Sequence, residues 1–521
     1  MVDRWVSKPI PCVGGLILDQ DALTLGTNFP GSASLLQNFE PSVDGGYRRI
    51  NGYIKYDNAV VPGDDDEPVL GVKVSMLGVF ATRLIDAGTA NEDNAIYFSS
   101  GSGWGSPLNS SFRPGAVTKA RYITYYFDEP VIVQCDGVNP AWRWNGSADT
   151  TINGTGAPTN PKYAAFFKSR LALAGYGSGD KVSISSPNDD TDFDGGNGAF
   201  EINVGDKIKG MRLFRDSLVI FCEHGIKVLV GTTTADFTLD DIATSIGCLS
   251  HDSIQEIGGD LIYLSTDGFR SFAATQRIGD VELGLLSKAI QPLVRDMLAA
   301  GFDEDNYSSC VMRKKSQYRL FINNPDITTD ADNFGILGRL TDIPITPHGT
   351  YEWATTLGFK PYCSDSEYSG NLEVVVMGHH TNGYVYRLES GNTLDGENIF
   401  AIYRSQDMTF DDASLRKVFH KLDLYTHVEG DVDFNVQLLL DREIGNIIQP
   451  SAINMGQSGG VAVYGTAIYD TDTYGAFLFP SFKKNLIGSG FFGAFQFTCN
   501  NDSAPFKLDS FQVQLAGKGR R

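Results

Sequence analysis

Residues 213–232 read LFRDSLVIFCEHGIKVLVGT: one apolar run, Leu218 to Cys222, enters a His224-Gly225 turn and a second, Ile226 to Val230, leaves it. Two short β-rich runs across a tight turn make a hairpin. The figure recurs along the chain. Turn dipeptides stand at Asp136-Gly137, Gly179-Asp180, His224-Gly225 and Asp267-Gly268, with their glycines 42, 46 and 43 residues apart. Dipeptides such as Asp-Gly favour the positive φ of tight hairpins. An interval of about 40–50 residues is one four-stranded sheet, and its repetition predicts a β-propeller. Continuations at Asn323-Asn324 and Asn382-Gly383, and a start near Gly101, make six or seven blades.

Composition points the same way. A chain of 521 residues, 42% apolar and with 57 glycines, has material for large cores and many turns, and is expected to be all-β. Its net charge of −21 argues against a protein that grips the nucleic-acid backbone, since that grip needs clustered Lys and Arg. The seven cysteines, at 12, 135, 222, 248, 310, 363 and 499, are odd in number, widely spread and without a C-x-x-C pair. That spacing argues against a disulfide framework or a zinc site, and for folding in a reducing cytoplasm. The N-terminal MVDRWVSKPIPCVGG lacks an apolar signal core, and no run of about 18 apolar residues occurs, so neither a signal nor a membrane-spanning segment is expected.

Three regions follow. Residues 1–60 fall outside the repeat and read as an N-terminal extended arm; residues 61–398 hold the propeller. From residue 399 to 521 the text turns to alternating runs, such as Lys421–Tyr425, Val432–Leu438 and Phe511–Leu515, which predict a β-sandwich-like domain with one buried and one wet face per sheet. One amphipathic helix is inserted after Ser287, with Ile290, Leu293, Val294, Met297 and Leu298 on one face. Ser287 is its expected N-cap, Gly301 its stop, and Pro292 falls in the tolerant first turn.

Local motifs offer little chemistry. Asp190, Asp192, Asp194 and Glu201, with Gly195 between them, fit the twelve-residue calcium-loop pattern of acids at positions 1, 3, 5 and 12 and glycine at 6. Any such ion would be structural. The competing reading is an acidic loop between two strands, held by Asx turns, because the flanks are strand-like and Asn197 stands where an apolar residue usually packs. No other cofactor is expected. Gly456-Gln-Ser458-Gly-Gly460 matches the text of a nucleophile elbow without its strand–turn–helix setting. Ser265 to Phe272 approaches a sialidase-type box but lacks one residue and does not recur. His379-His380 point to opposite faces of a strand and chelate poorly as a pair. The knots Arg48-Arg49, Arg313-Lys314-Lys315, Lys483-Lys484 and Arg520-Arg521 read as solvated turns or as salt contacts to a neighbouring subunit.

Several segments taken in order resemble the tail nozzle or tail-hub (packaged-DNA stabilisation) proteins of short-tailed bacteriophages. They are NFEPSVDGGYRRINGY, SISSPNDDTDF followed by Gly205 to Gly210, residues 213–232, IGGDLIYLSTDGFRSF at 257–272, and the helix from Ser287 to Ala300; together they span about residues 30 to 390. The resemblance implies a non-enzymatic virion protein, made in the host cytoplasm. It implies a homohexameric ring below the portal–adaptor complex, in contact with tail fibre or needle proteins, that retains packaged double-stranded DNA and conducts it during ejection. On that reading an acidic lumen repels phosphate oxygens and lets a polyanion slide. The lumen candidates are Asp64, Asp65, Asp66, Glu67 and Asp189. The alternative is a glycan-binding or glycan-hydrolysing propeller, with Trp104, Trp142, Trp144 and Trp353 as sugar-stacking or core residues.

Overall fold

The computed structural model describes residues 6–111, 113–127, 129–278, 285–324, 333–341, 350–410, 412–443, 448–456 and 481–518. The quoted stretch forms the hairpin that its pattern predicts: Ser217–Cys222 pairs antiparallel with Ile226–Val230, Leu218 opposite Leu229 and Phe221 opposite Ile226. Ile208–Phe214 and Thr238–Ala243 complete a four-stranded meander.

Comparable meanders run along the chain. Two more separate four-stranded sheets lie at 121–151 and 163–203, and three-stranded sheets lie at 71–99 and 255–271. In the last of these the helix Phe272–Ile278 follows the third strand. A sixth meander spans Tyr307–Met312 to Tyr351–Leu357, and a seventh starts at Pro361–Ser369. The seventh is completed by Tyr53–Lys55 from the N-terminal region, which pairs with Val385–Leu388. The first strands of successive meanders follow one another in chain order, with the turn His251–Ser253 against Ile208–Phe214 between the fourth and fifth, and Pro361–Ser369 returns to Gly71–Val74, which makes the arrangement a propeller-like ring.

The turn series falls at one equivalent place, between the second and third strands of a meander. Gly137, Gly179 and Gly268 adopt positive φ there, of 77°, 87° and 140°. Gly225 does not. It is glycine because a Cβ would lie 2.7 Å from the Ala243 carbonyl oxygen. The start near Gly101 is one connection late: Gly101 follows the third strand, Asp93–Ser99, and the equivalent turn is at 86–92.

Apolar layers fill the spaces between neighbouring meanders. Ala172, Val182 and Ile184 of the third meet Leu218, Ile220 and Leu229 of the fourth, and Phe221 and Val228 meet Leu261 and Tyr263 of the fifth. Each such sheet is therefore covered on both faces, which is why LVIFC is a continuous apolar run rather than an alternating one.

Residues 6–49 are not a free arm. Val6–Pro11 and Tyr47–Arg49 both pair with the C-terminal strand Phe506–Lys518, and Arg416–Val428 lies along the same strand. Ala33–Gln37 pairs with Glu397–Ser405, which continues to Gly493–Asn501 and Asn435–Leu440. These two sheets pack face to face: the Tyr47 and Tyr403 rings are 4.8 Å apart, and those of Phe497 and Phe511 5.7 Å. The sandwich-like unit is thus built from both ends of the chain, with Glu397–Ser405 already inside it.

The inserted helix is Gln291–Ala299, with Pro292 in its first turn, Val294 and Met297 buried, and Gly301 at φ 69° beyond its end. Ser287 does not cap it. Its hydroxyl accepts from the Phe269 amide instead, tying the segment to the fifth meander. Short helices also form at Ala22–Asn28 and Phe272–Ile278. Among the described residues no helix is long and apolar enough to cross a membrane.

Trp353 sits where the sixth meander, the inserted helix and the arm meet. It is 1% exposed, its ring lies 5.1 Å from Phe269, its indole N–H donates to Leu286 O, and its register partner is Gly338, where a Cβ would collide with the ring. Trp353→Ala is expected to lower the unfolding free energy by about 3–5 kcal/mol, read from the urea midpoint at unchanged slope.

Candidate functional site

The first strands surround a central channel lined by charged and polar side chains. Gly71–Val74 supplies Lys73, the stretch leading into Arg121–Phe127 supplies Lys119 and Arg121, and the turn His251–Ser253 supplies His251 and Asp252. Asp365 comes from Pro361–Ser369, and the turn Glu304–Asn306 crosses one mouth.

These groups neutralise one another. Arg121 donates through Nη2 to Asp252 at 2.8 Å and to Asp305 at 2.6 Å. Lys119 spends its three protons on the carbonyls of Asp305, Tyr307 and Tyr362. Glu304 accepts from Lys162 at 2.9 Å and Lys209 at 2.8 Å, and Lys73 pairs with Asp365 at 3.0 Å. Burial pushes the Asp305 carboxyl up, but Arg121 and Lys119 more than reverse this and leave it at about 2. Burial likewise lowers Lys119 from its ordinary value, and in Asp252 the same two cations outweigh burial and lower the carboxyl. Mid-channel the free space is about 80 Å³, widening to about 260 Å³ on one side, with about 460 Å³ at the mouth beside Glu304. Spaces of the mid-channel size hold a few waters or a small ion. Among the described residues, these paired side chains occupy the mid-section of the channel.

None of the lumen candidates lines this channel. Asp64, Asp65, Asp66 and Glu67 form the loop before Gly71–Val74, organised by the buried Arg83, which donates to the carbonyls of Val61, Asp64 and Glu67. Asp189 is exposed and closes an Asx turn on Thr191. The calcium-pattern residues are not brought together. Asp190 is buried, accepting from Arg143 at 2.8 Å and from the Tyr125 hydroxyl at 2.6 Å, which ties the second meander to the third. Asp192 accepts from Ser186, Asn197 and the Asp194 amide, Asp194 caps Gly196, and Glu201 points to Lys181 and Tyr176. Among the described residues no three His, Cys, Asp or Glu side chains are placed to hold a metal ion.

Other motifs resolve into structure. Ser458 lies outside the described residues, as do Arg520 and Arg521. Asp267 pairs with Arg270 inside its own turn. His379 Nδ1 accepts the amides of Thr381 and Asn382, so it orders the Asn382-Gly383 turn. Trp142 and Trp353 are core residues, Trp144 leans on Phe80, and the Trp104 indole donates to Ala59 O. One basic knot is not a solvated turn, and a second, the exposed turn Arg313–Lys315, is tied down at its last residue. Arg49 is buried and donates to the carbonyls of Asn392, Asn501 and Ser503, whereas Arg48 pairs with Glu40 and Glu429. Lys315 pairs with Glu40 and Glu389. The channel groups went unnoticed in sequence because each meander supplies only one or two of them. Charged residues in otherwise apolar first strands, as in KARYIT at 119–124, were the available signal.

No protein-family model and no curated protein matches the chain. Among solved structures it is similar to an exo-beta-1,3-galactanase from Phanerochaete chrysosporium, 10% identical with a TM-score of 0.24 over 89% of this chain and 100% of that one. It is also similar to the extracellular domain of a hybrid two-component system from B. thetaiotaomicron, 9% identical with a TM-score of 0.38 over 67% of this chain and 41% of that one. PorZ, a surface component of the type-IX secretion system of Porphyromonas gingivalis, is 8% identical with a TM-score of 0.37 over 77% of this chain and 56% of that one. Likenesses this loose carry no argument about activity.

Arg121→Met leaves Asp252 and Asp305 facing each other without their shared cation, and is expected to cost about 3–5 kcal/mol at pH 7. The folded pKa of Asp305, about 2, lies below the ordinary 3.8, so its contribution is complete above that value and is lost as pH falls toward 2. Urea titrations between pH 7 and pH 2.5 should show this acid loss in the wild type and much less of it in the variant.

Proposed function

We propose that the chain is a non-enzymatic structural subunit of a short-tailed phage tail, a nozzle or hub protein whose seven meanders are the blades of a β-propeller. Six copies form a ring below the portal–adaptor complex, contacting fibre or needle proteins, that retains packaged DNA and releases it on ejection. The supporting observation is the ordered run of resembling segments and where they fall. The first spans Phe39–Pro41 and Tyr47–Arg49 and ends at Tyr53, where the closing strand Tyr53–Lys55 begins; the others lie in the third to fifth meanders and the inserted helix.

The filled channel bears on mechanism. DNA would run through the lumen between subunits rather than through a single propeller, and the chain's −21 charge would keep it from adhering there. Mutual neutralisation of the channel acids also favours a scaffold over a glycosidase, which needs one carboxyl held protonated beside one ionised.

Light scattering and negative-stain microscopy of the purified protein, alone and with particles lacking their tail tip, test this reading. Sixfold rings or a new six-subunit collar are expected. Monomers that never bind such particles, together with retention on a glycan array or turnover of a polysaccharide, would overturn it in favour of the glycan-directed alternative.

A further inference from the structure

The first strands run in one direction through the ring. Residues that precede or open them, Thr118, Lys207, Asn306 and Tyr362, meet at the mouth beside Glu304, while residues near their ends, Lys73, Tyr125, Phe166, Leu213 and Glu367, line the space of about 260 Å³. The turns from first to second strands therefore lie at one end of the ring, and those from second to third strands at the other. The two ends differ in charge. Among the described residues the first-to-second turns carry Lys168, Arg215, Arg313, Lys314 and Lys315 against one carboxylate, Asp216. The second-to-third turns carry Asp86, Glu92, Asp136, Asp180, Glu223 and Asp267 and no Lys or Arg. Glu129, Glu256, Glu367 and Glu373 on flanking strands bring the first end near balance. At the second end Arg113 and Arg270 neutralise Asp136 and Asp267, but the connections at 64–67 and 303–305 add seven more carboxylates, of which Glu304 and Asp305 are the ion-paired ones among the described residues.

Exposed apolar side chains gather at the first end. Met76 and Leu77, 80% and 55% exposed at the tip of the first meander, stand between Tyr126 on the second and Tyr368 and Leu372 on the seventh. Leu213, also exposed, lines the recess beside them. Arg215 and Lys314 are exposed there without a carboxylate partner among the described residues. Apolar tips brought together on three neighbouring meanders mark a contact surface.

We propose that this apolar, cation-tipped end docks head-to-tail on the acidic end of a second copy of the chain. Charge selects that order. Two acidic ends repel and two balanced ends gain no attraction, whereas Arg215 and Lys314 of one copy meet carboxylates such as Asp86 and Glu223 of the next. The contact rests on the ring reading above and names the surfaces that ring would use. A heterologous contact closes into a ring when each copy is turned against the last, and otherwise grows as an open chain.

Charge reversal at each end tests this on the full chain. Arg215→Glu with Lys314→Glu makes the first end acidic, and Asp86→Lys with Glu223→Lys makes the second end basic, all at exposed turn positions. In analytical ultracentrifugation at ~20 mM salt, where surface charges are weakly screened, each double variant alone should self-associate about tenfold more weakly than the wild type. An equimolar mixture of the two should recover association, because each reversed end then faces its complement, a result that misfolding cannot produce. Variants that assemble as the wild type does, or a loss confined to one of the two, would overturn the head-to-tail contact and leave any sixfold ring standing. Open chains that both variants abolish and mixing restores would support the contact and overturn the ring. A wild type that stays monomeric at low salt, even if it binds anionic phospholipid vesicles or another protein through this end, would overturn the contact.

Discussion

The pairing of Tyr53–Lys55 with Val385–Leu388 is the contact on which the ring depends, because it lets the last meander be completed by a strand made long before it. For a flexible chain, closing a loop of this length costs about 5 kcal/mol in entropy. The intervening meanders form from neighbouring strands, so each one shortens the loop that remains to be closed. The apolar layers between sheets then fix the ring, since a missing meander would leave two such layers open to water.

Next to that closure lies a buried ion cluster. Glu40, 2% exposed, accepts from Lys315 at 2.6 Å and Arg319 at 2.9 Å and pairs with Arg48 at 3.3 Å, while Glu389 pairs with Lys315 and Arg319. Burial alone would raise the Glu389 carboxyl, but these cations overcome it and leave it lowered. The members come from the N-terminal strands, the sixth meander and the end of the seventh. An assembled cluster of this kind contributes little net stability, but losing one partner leaves a charge stranded in the interior. The cluster therefore penalises arrangements in which these three parts are misplaced.

The repeat was legible because a hairpin is local: its turn residues and its flanking strands are sequence neighbours. The same locality misled elsewhere. Asp190, Asp192, Asp194 and Glu201 look like one ligand set in a linear reading, yet Asp190 belongs to Tyr125 and Arg143 on another meander, and Glu201 lies in a strand facing Lys181. Arg48 and Arg49 resemble a solvated knot, but their acceptors lie more than 300 residues away in sequence or on the facing strand. The channel is the extreme case, a site assembled from one or two residues per meander, and nothing in any single segment marks it.

The interleaving of the two ends has a consequence for synthesis. Val6–Pro11 and Ala33–Gln37 find their partners only in Phe506–Lys518 and Glu397–Ser405. At roughly 5–20 residues per second, these first-made strands wait on the order of 20–100 s before the strands they pair with leave the ribosome. During that interval their unpaired edges and apolar faces are exposed while the ring is taking shape beside them. Until then the earlier strands carry unpaired edges, and the later segment shelters them once it is made.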